Sequence, residues 1–432
     1  MSRHNYNLRS KSKKLEHDRN PPELPTQLRG AEIIPVEVRD AQILARLPPK
    51  DIMRYREVCK YWSTLTRNPD FLKAYREFNK KTHLLFLVWL PNGNQQFFFS
   101  VQTTPAGISD GTPATYVDVS ERLSPCEFAF TTHVRGANGL MFIHNAYCTP
   151  TSDEQDMIYV INPCTRKNYK LPPAMNGRTH RIYHFGFCTT GNNEYYKVLQ
   201  VEKTPDEKCT FNIFTLGSTP RSWTPIDNNK FIDALPFDMS TRSFAECNSS
   251  VCMDGVIYWN QRRRTSATSN PMPHETHSQT RIVEFDTAET MIVAFDVEAE
   301  TFSEVPPPRA CVKFNKIVEV CGCVALLYVI EDRWEIELWI LKDSRNHQWV
   351  KETIFASFLM AGRGPRPFYK LLTGGKFMFL RGNDMMMYVY DMENKKLVQV
   401  SEVIWPEGMR EISHQLRLVD FYDDTIVTFK RN

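Results

Sequence analysis

Three groups of residues in this chain have side chains suited to metal binding, phosphate binding or nucleophilic catalysis. Cys321-Gly322-Cys323 offers two thiols to a soft metal, with Cys311 as a third, but no second close Cys/His pair completes a four-ligand site. Gly374-Gly375-Lys376 ends like a phosphate-binding loop, but the earlier glycine of that loop is missing. Cys59 falls on an apolar helical stripe, where packing is the simpler role. We therefore predict buried strand thiols, a glycine turn and a packing cysteine, with no catalytic, cofactor-binding or metal-binding residues.

The bulk composition is that of a globular protein, since 42% of the 432 residues are hydrophobic and 24% are charged. The net charge of +3 provides no strong field towards nucleic acid or a membrane. Apolar runs such as Leu84–Leu90 have the length of a strand and not of a membrane span. The eleven cysteines are scattered and odd in number, which favours reduced thiols in the cytoplasm or the nucleus. The composition thus predicts no nucleic-acid partner and no membrane association.

Residues 1–32 are basic and contain few apolar side chains, which predicts a disordered tail. Lys11, Lys13 and Lys14 have the spacing of a nuclear import patch, and a merely solvated basic tail is the alternative. The sequence leaves both interpretations open.

The segment LPPKDIMRYREVCKYWSTLTRNPDFL, residues 47–72, has a helical pattern that most of the chain lacks. Its apolar stripe has steps of three or four residues and consists of Ile52, Tyr55, Cys59, Trp62 and Leu65. An earlier helix with Val36, Ile43 and Leu47 on one face is predicted to end at Pro48-Pro49, and a last helix to cover Asp70–Phe78 after Asn68-Pro69. We predict a helical module at residues 33–78. It is marginal in size, so a partner or the next domain should cover one side.

From residue 79 onward the pattern changes to short strands that end in polar turns. A two-strand unit recurs at Ile158–Pro173, Phe211–Ile226, Ile292–Pro308, Glu337–Ile354 and Met387–Val400, with a looser copy at Leu84–Val101. Units spaced about 50 residues apart are typical of β-propeller blades. Residues 79–432 are therefore predicted to form an all-β domain, a kelch-like β-propeller of six or seven blades. Only Gly374-Gly375 supplies the paired glycines of the kelch repeat, and a large β-sandwich is the alternative.

A turn glycine followed by a strand also recurs, at Gly139, Gly255, Gly322 and Gly375. The spacing of the units is interrupted by Gln261–Arg281, a polar stretch predicted to be a flexible loop and the most protease-sensitive internal segment. Within it, Arg262-Arg263-Arg264 offers charge to a phosphate or an acidic partner, but a solvated charge run is the default interpretation.

The helical module resembles a plant F-box over about 40 residues. The matching elements are Ile34-Pro35, Ile43-Leu44, Arg46-Leu47-Pro48, Val58-Cys59-Lys60-Tyr61-Trp62 and Asn68–Leu72, in the family order. Ile34 stands where the family has leucine, and Tyr55 stands where it has phenylalanine. The β region likewise resembles the F-box-associated domain, through motifs beginning at Asn162, Phe185, Asp254 and Glu337. Cys188-Thr189 replaces the Tyr-Asp that usually follows Gly-Phe.

These resemblances imply an adaptor role and not an enzyme. The F-box would bind a Skp-type adaptor, which joins it to a cullin and a RING subunit in an SCF ubiquitin ligase. The β domain would bind a protein substrate for ubiquitination, through residues that the sequence does not identify. The implied adaptor-binding residues are Ile34, Pro35, Ile43, Leu44, Leu47, Pro48, Ile52, Val58, Cys59 and Trp62.

Two other function classes stay open at this point. An F-box protein can act as a scaffold outside any ligase, and nothing in the sequence excludes that role. A propeller enzyme would need carboxylates or metal ligands that converge on one propeller face, and the helical module gives no help to such an enzyme.

Overall fold

The computed structural model describes most of the helical module and of the β domain. The residues described are 43–79, 81–90, 95–104, 109–117, 132–145, 158–172, 181–191, 193–203, 209–219, 221–226, 250–262, 285–286, 290–311, 313–314, 316–330, 333, 335–355, 368–372, 375–381, 386–407 and 416–427. The predicted tail at 1–32, the helix around Val36 and most of the predicted loop at 261–281 lie outside them. Gln261 and Arg262 belong to a strand, so the first two residues of that predicted loop were assigned wrongly.

Within the described residues 43–79, the helical module contains three helices and a 3₁₀ turn. The 3₁₀ turn is Leu44–Arg46, and the helices are α1 (Pro49–Val58), α2 (Lys60–Leu65) and α3 (Pro69–Phe78). Pro49 occupies the first position of α1, where a missing N–H costs nothing, so Pro48-Pro49 begins a helix as well as ending the earlier turn. Asn68 caps α3 by accepting a hydrogen bond from the Asp70 N–H at 2.8 Å.

The predicted continuous stripe through Cys59 is wrong, because Cys59 interrupts the helix. Its backbone is extended, with φ −154° and ψ 159°, and it separates α1 from α2. The exposed Sγ accepts a hydrogen bond from the Trp62 N–H at 3.5 Å, so Cys59 caps α2. Tyr55 and Trp62 still meet across the break, with ring centroids 4.9 Å apart in an edge-to-face arrangement.

The β domain is a six-bladed β-propeller, so the prediction of a propeller is confirmed and the β-sandwich alternative is wrong. Blade 1 holds β1 (Thr82–Leu90), β2 (Gln95–Gln102), β4 (Thr115–Val117) and β27 (Leu416–Asp423). Blade 2 holds β5 (Thr132–Ala137), β6 (Leu140–Asn145), β7 (Ile158–Asn162) and β8 (Lys167–Lys170). Blade 3 holds β9 (Arg181–Thr190), β10 (Asn193–Lys203), β11 (Cys209–Thr215) and β12 (Thr224–Pro225).

The remaining three blades have the same antiparallel order. Blade 4 holds β13 (Ser250–Met253), β14 (Val256–Arg262), β16 (Thr290–Asp296) and β17 (Thr301–Val305). Blade 5 holds β19 (Lys316–Val320), β20 (Cys323–Ile330), β21 (Glu335–Asp343) and β22 (Gln348–Phe355). Blade 6 holds β23 (Phe368–Leu372), β24 (Lys376–Arg381), β25 (Met386–Asp391) and β26 (Lys396–Ile404). Three short strands lie outside this pattern: β3 (Thr112–Pro113), β15 (Phe285–Asp286) and β18 (Lys313–Phe314).

The ring is closed by a strand from the far end of the chain. β27 pairs with β1 and thereby becomes the innermost strand of blade 1. This closure explains why the copy at Leu84–Val101 is loose: it forms the second and third strands of its blade, whereas the five clear copies form the third and fourth. No helix among the described residues is both long and apolar enough to cross a membrane.

The recurring glycines occupy the turns between the first and second strands of four blades. Asn138-Gly139, Asp254-Gly255 and Cys321-Gly322 have positive φ at both positions, as a type I′ hairpin turn requires. Gly375 also has positive φ, which confirms the prediction of a turn. Cys321 is consequently an exposed turn residue and not the buried strand thiol that was predicted, and Cys323 is half-buried.

The turns between the third and fourth strands share a second chemistry. In four blades an Asn or Asp begins the turn and accepts hydrogen bonds from backbone N–H groups two or three residues later, as Asn162, Asp296, Asp343 and Asp391 do. The turn ends on a residue with φ between 51° and 55°, namely Arg166, Glu300, His347 or Lys395. Because strands alternate in direction, both kinds of turn lie on the same face of the propeller, which we call the turn face.

Candidate functional site

The core of the helical module is completed by a residue from the far end of the chain. Leu44, Ala45, Ile52, Phe71 and Tyr75 form one buried cluster, and Ile426 is part of it. Ile426 follows β27 directly, so the strand that closes the propeller delivers it. We predicted that a partner or the next domain covers one side of the module, and the segment that carries Ile426 is one part of the next domain that does so.

Arg56 links this same segment to the helices. Its Nε donates to Thr66 Oγ1 at 2.9 Å, and its Nη2 donates to the backbone carbonyls of Thr66 at 2.7 Å and of Ile426 at 2.8 Å. Burial, with a smaller contribution from Arg67, lowers the pKa of Arg56 to about 10. The guanidinium is still charged at neutral pH, and a buried charge must be satisfied by acceptors such as these.

α3 makes a second contact with the propeller, at the turn face of blade 3. The Arg76 guanidinium pairs through both Nη atoms with the carboxylate of Glu194. Tyr196 O–H donates to the same carboxylate at 3.2 Å, and Asn138 Nδ2 of blade 2 donates to Tyr196 Oη at 2.7 Å. Burial, together with the charge of Glu194, raises the pKa of Tyr196. The helical module therefore rests on the turn face of blades 2 and 3.

The segment 424–427 lies between the two domains and is held on the propeller side as well. Asn162 Nδ2 donates to the carbonyls of Thr425 at 3.1 Å and of Val427 at 3.0 Å. Asp424 contacts His83 Nε2 at 3.0 Å and accepts from Cys164 Sγ at 3.3 Å. The two domains are thus held together by this shared segment and by the Arg76–Glu194 contact, besides the covalent link before β1.

The predicted adaptor-binding residues separate into three groups. Ile34 and Pro35 lie outside the described residues. Leu44 and Ile52 are buried in the core of the module. Leu47 and Trp62 are half-buried against that core, whereas Ile43, Pro48, Val58 and Cys59 are exposed. Val58 is 67% exposed and Ile43 is 44% exposed.

Three residues on the surface or in the core of the helical module were not among the predicted adaptor-binding residues. Tyr61 lies within the quoted Val58–Trp62 motif and is 50% exposed on the short helix α2. Phe78 is exposed at the end of α3, where the Arg46 guanidinium carbon lies 4.3 Å from its ring centre. Ile426 had no local signal, because its role depends on a contact with residues more than 300 positions away. Among the described residues, no group of three or more His, Cys, Asp or Glu side chains could hold a metal ion.

Comparison with known proteins matches both domains. The F-box domain matches residues 41–74, and the F-box associated beta propeller domain matches residues 83–410. An Arabidopsis thaliana F-box protein, At1g47790, is 24% identical over 363 residues, which cover 82% of this chain and 81% of that protein. A second, At1g52495, is 23% identical over 408 residues, covering 89% and 85%. The chain therefore belongs to the plant F-box proteins that carry a C-terminal F-box associated beta propeller domain.

Proposed function

We propose that this protein is the substrate-recognition subunit of an SCF-type ubiquitin ligase. The F-box would bind a Skp-type adaptor, and through it a cullin and a RING subunit, while the propeller would bind a protein substrate. The observation that carries the proposal is a firmly anchored F-box that nevertheless exposes large apolar side chains. Exposed apolar side chains that lie close together, as Val58 and Tyr61 do in sequence, are typical of protein–protein interaction sites.

The proposed adaptor surface consists of the exposed residues of α1, α2 and the preceding turn. Ile43, Val58 and Tyr61 supply apolar area, and Pro48 and Cys59 lie beside them in sequence. Ile34 and Pro35 belong to the proposal on the strength of the family motif alone. Leu44 and Ile52 act indirectly, because they hold the helices that present the surface.

The role that we propose for the protein is non-catalytic, in the cytoplasm or the nucleus. A scaffold outside any ligase is the alternative, and it differs in one respect that can be measured. A ligase subunit must bring cullin and RING subunits with it, whereas a scaffold need not.

The test is co-purification of the full chain with a Skp-type adaptor, comparing wild type with Val58→Glu. A charge at this exposed position should reduce adaptor recovery at least tenfold, because the carboxylate would be desolvated in an apolar interface. Val350→Glu is the matched control, since Val350 is an exposed valine on the propeller. Unchanged adaptor recovery with Val58→Glu would contradict the surface, and adaptor without cullin or RING subunits in the wild-type sample would favour the scaffold.

A further inference from the structure

The innermost strands of the six blades surround the central channel of the propeller. They are β27, β5, β9, β13, β19 and β23, in the order of blades 1 to 6. Among the side chains that the structure describes on these strands, three are cationic: Arg135 on β5, Arg181 on β9 and Lys316 on β19. Arg181 donates to the carboxylate of Glu202 at 3.1 Å, which balances its charge. Arg135 and Lys316 have a different arrangement.

Arg135 and Lys316 belong to opposite blades, because blade 5 is three places from blade 2 in a ring of six. Val134 packs in the cluster between blades 1 and 2, so the next side chain, that of Arg135, lies on the other face of β5. Although the two cations are on opposite blades, the charge of Arg135 lowers the pKa of Lys316. The channel is what separates the inner strands of opposite blades, so these two cations lie across it from each other.

Both cations reach water in a place that protein surrounds. Lys316 is exposed, and yet burial is the main cause that lowers its pKa, to about 8. Arg135 is half-buried, and burial lowers its pKa to about 10. A lysine on the outer surface would be exposed without losing its hydration, whereas the wall of a narrow channel combines contact with water and partial dehydration. Both side chains still carry most of their positive charge at neutral pH.

The positive charge of Lys316 is not balanced within the part of the chain that the structure describes. Its ammonium group has neither a hydrogen bond nor an ion pair with any described residue. The one carboxylate on β19, that of Glu319, lies on the opposite face of the strand and closer to the turn face, where its charge raises the pKa of Cys252. The charge of Arg135 acts on Lys316 and on His184 alike.

His184 on β9 adds an unpartnered polar side chain near these cations. It is completely buried, its ring stacks on Trp259 with ring centroids 4.6 Å apart, and neither ring nitrogen has a hydrogen-bond partner among the described residues. Burial, together with the charges of Arg135 and His144, lowers the pKa of His184 to about 3, so the ring is neutral and carries one N–H donor. A buried donor without an acceptor is costly, and an anion in the channel would supply the acceptor.

We propose that the central channel of the propeller binds a small phosphate-bearing anion, held between Lys316 and Arg135 with His184 as a neutral donor. Arginine binds phosphate through a fork of N–H donors, and lysine binds it as a point charge. Cations on opposite blades suit an anion with charge at both ends, such as a diphosphate. A small molecule fits this place better than a protein segment, because both cations are enclosed enough to lose hydration. The inference goes beyond the proposed function, since the F-box takes no part in the site.

The test is calorimetric titration of the full chain with pyrophosphate at constant ionic strength. Lys316→Met should reduce the affinity about tenfold or more, because it removes a charge-assisted contact, whereas Lys316→Arg keeps the charge and should retain most of the binding. Lys342→Met is the matched control, since Lys342 is an exposed lysine of the same blade on β21. Without pyrophosphate, Lys316→Met should unfold at the same temperature as wild type or at a higher one, because it removes a dehydrated charge.

Three outcomes would overturn the inference: no saturable binding of pyrophosphate by wild type, equal affinity for wild type and Lys316→Met, or equal loss with Lys342→Met. A short glycine-serine peptide with one phosphoserine is titrated in parallel. If this peptide binds through Lys316 and pyrophosphate does not, the channel takes a protein side chain, against the proposal. His184→Phe is the second variant should Lys316→Met fail to fold, since it keeps a ring on Trp259 and removes the ring nitrogens. It should weaken pyrophosphate binding severalfold, and unchanged affinity would count against the site.

Discussion

At the scale of single residues, two arginines of one motif have opposite roles. Arg54 is 69% exposed and forms a surface ion pair with Asp51 at 3.4 Å. Arg56 is 7% exposed and donates to Thr66, directly after α2, and to Ile426. Residues two positions apart on a helix point to nearly opposite faces, so Arg54 faces solvent whereas Arg56 faces the core.

Replacement of these arginines should therefore have unequal effects. Arg56→Met leaves the carbonyls of Thr66 and Ile426 buried without their donor, and we expect it to lower the free energy of unfolding by about 2–4 kcal/mol. Arg54→Met removes only an exposed ion pair and should cost less than about 1 kcal/mol. Chemical denaturation of the full chain measures both variants. Equal destabilisation by the two would show that the contacts of Arg56 contribute nothing beyond surface charge.

At the scale of elements, the propeller depends on how closely neighbouring blades approach. Gly186 on β9 faces β14 of the next blade, and a Cβ at this position would lie 2.6 Å from Ile257 Cγ1 and 3.1 Å from Cys252 Sγ. The φ angle of Gly186 is not positive. Its role is therefore to let β9 approach β14 closely and not to form a turn. Gly322 is the opposite case, since its φ is +70° and nothing lies within 4 Å of an added Cβ.

Alanine at the two glycines should separate packing from backbone strain. Gly186→Ala forces β9 away from Ile257, and we expect a loss of about 2–3 kcal/mol from overpacking. Gly322→Ala adds only the left-handed backbone penalty, about 1–2 kcal/mol. The double variant Gly186→Ala/Ile257→Ala should cost less than the sum of the two single changes. The reason is that Ile257→Ala removes the atoms that a Cβ at position 186 would meet. Strict additivity in urea denaturation would count against the proposed contact.

At the scale of the whole molecule, ring closure and the F-box core depend on the same segment. β27 closes blade 1, and the residues that follow it place Ile426 under the F-box helices and Val427 in the cluster between blades 2 and 3. Leu72 of α3 packs against that second cluster as well. This packing argues against an F-box whose adaptor binding is independent of residues 79–432.

We therefore expect Ile426→Asp to weaken adaptor binding without touching the adaptor surface. A buried, unpaired carboxylate in the F-box core should destabilise the helices by about 3–5 kcal/mol. Ile404→Asp, at an exposed isoleucine of β26, serves as the control and should leave adaptor recovery unchanged. Hydrogen exchange of residues 43–79 reports the cause, with faster exchange expected for Ile426→Asp only. Full adaptor recovery with unaltered exchange would mean that the F-box folds without this contact.

The sequence by itself determined the local elements of this protein. The Asn-Gly and Asp-Gly turns, the Asn or Asp that begins the later turn of four blades, the proline at the start of α3 and the family motifs depend on neighbouring residues, so their signals lie within a few positions. From these the helical module, the recurring two-strand units and the propeller could be predicted. The break at Cys59 was not predicted, because a stretch with helical periodicity and no proline gives no reason to expect one.

Tertiary structure alone decided which predicted docking residues are exposed and how the two domains join. Leu44 and Ile52 match the family motif as well as Val58 does, but packing against Phe71, Tyr75 and Ile426 removes them from the surface. The partners of Arg56 and the closure by β27 likewise depend on residues far apart in the chain. Contacts of this kind leave no periodic pattern in a single sequence, because burial depends on which distant elements pack together and not on the residue type alone.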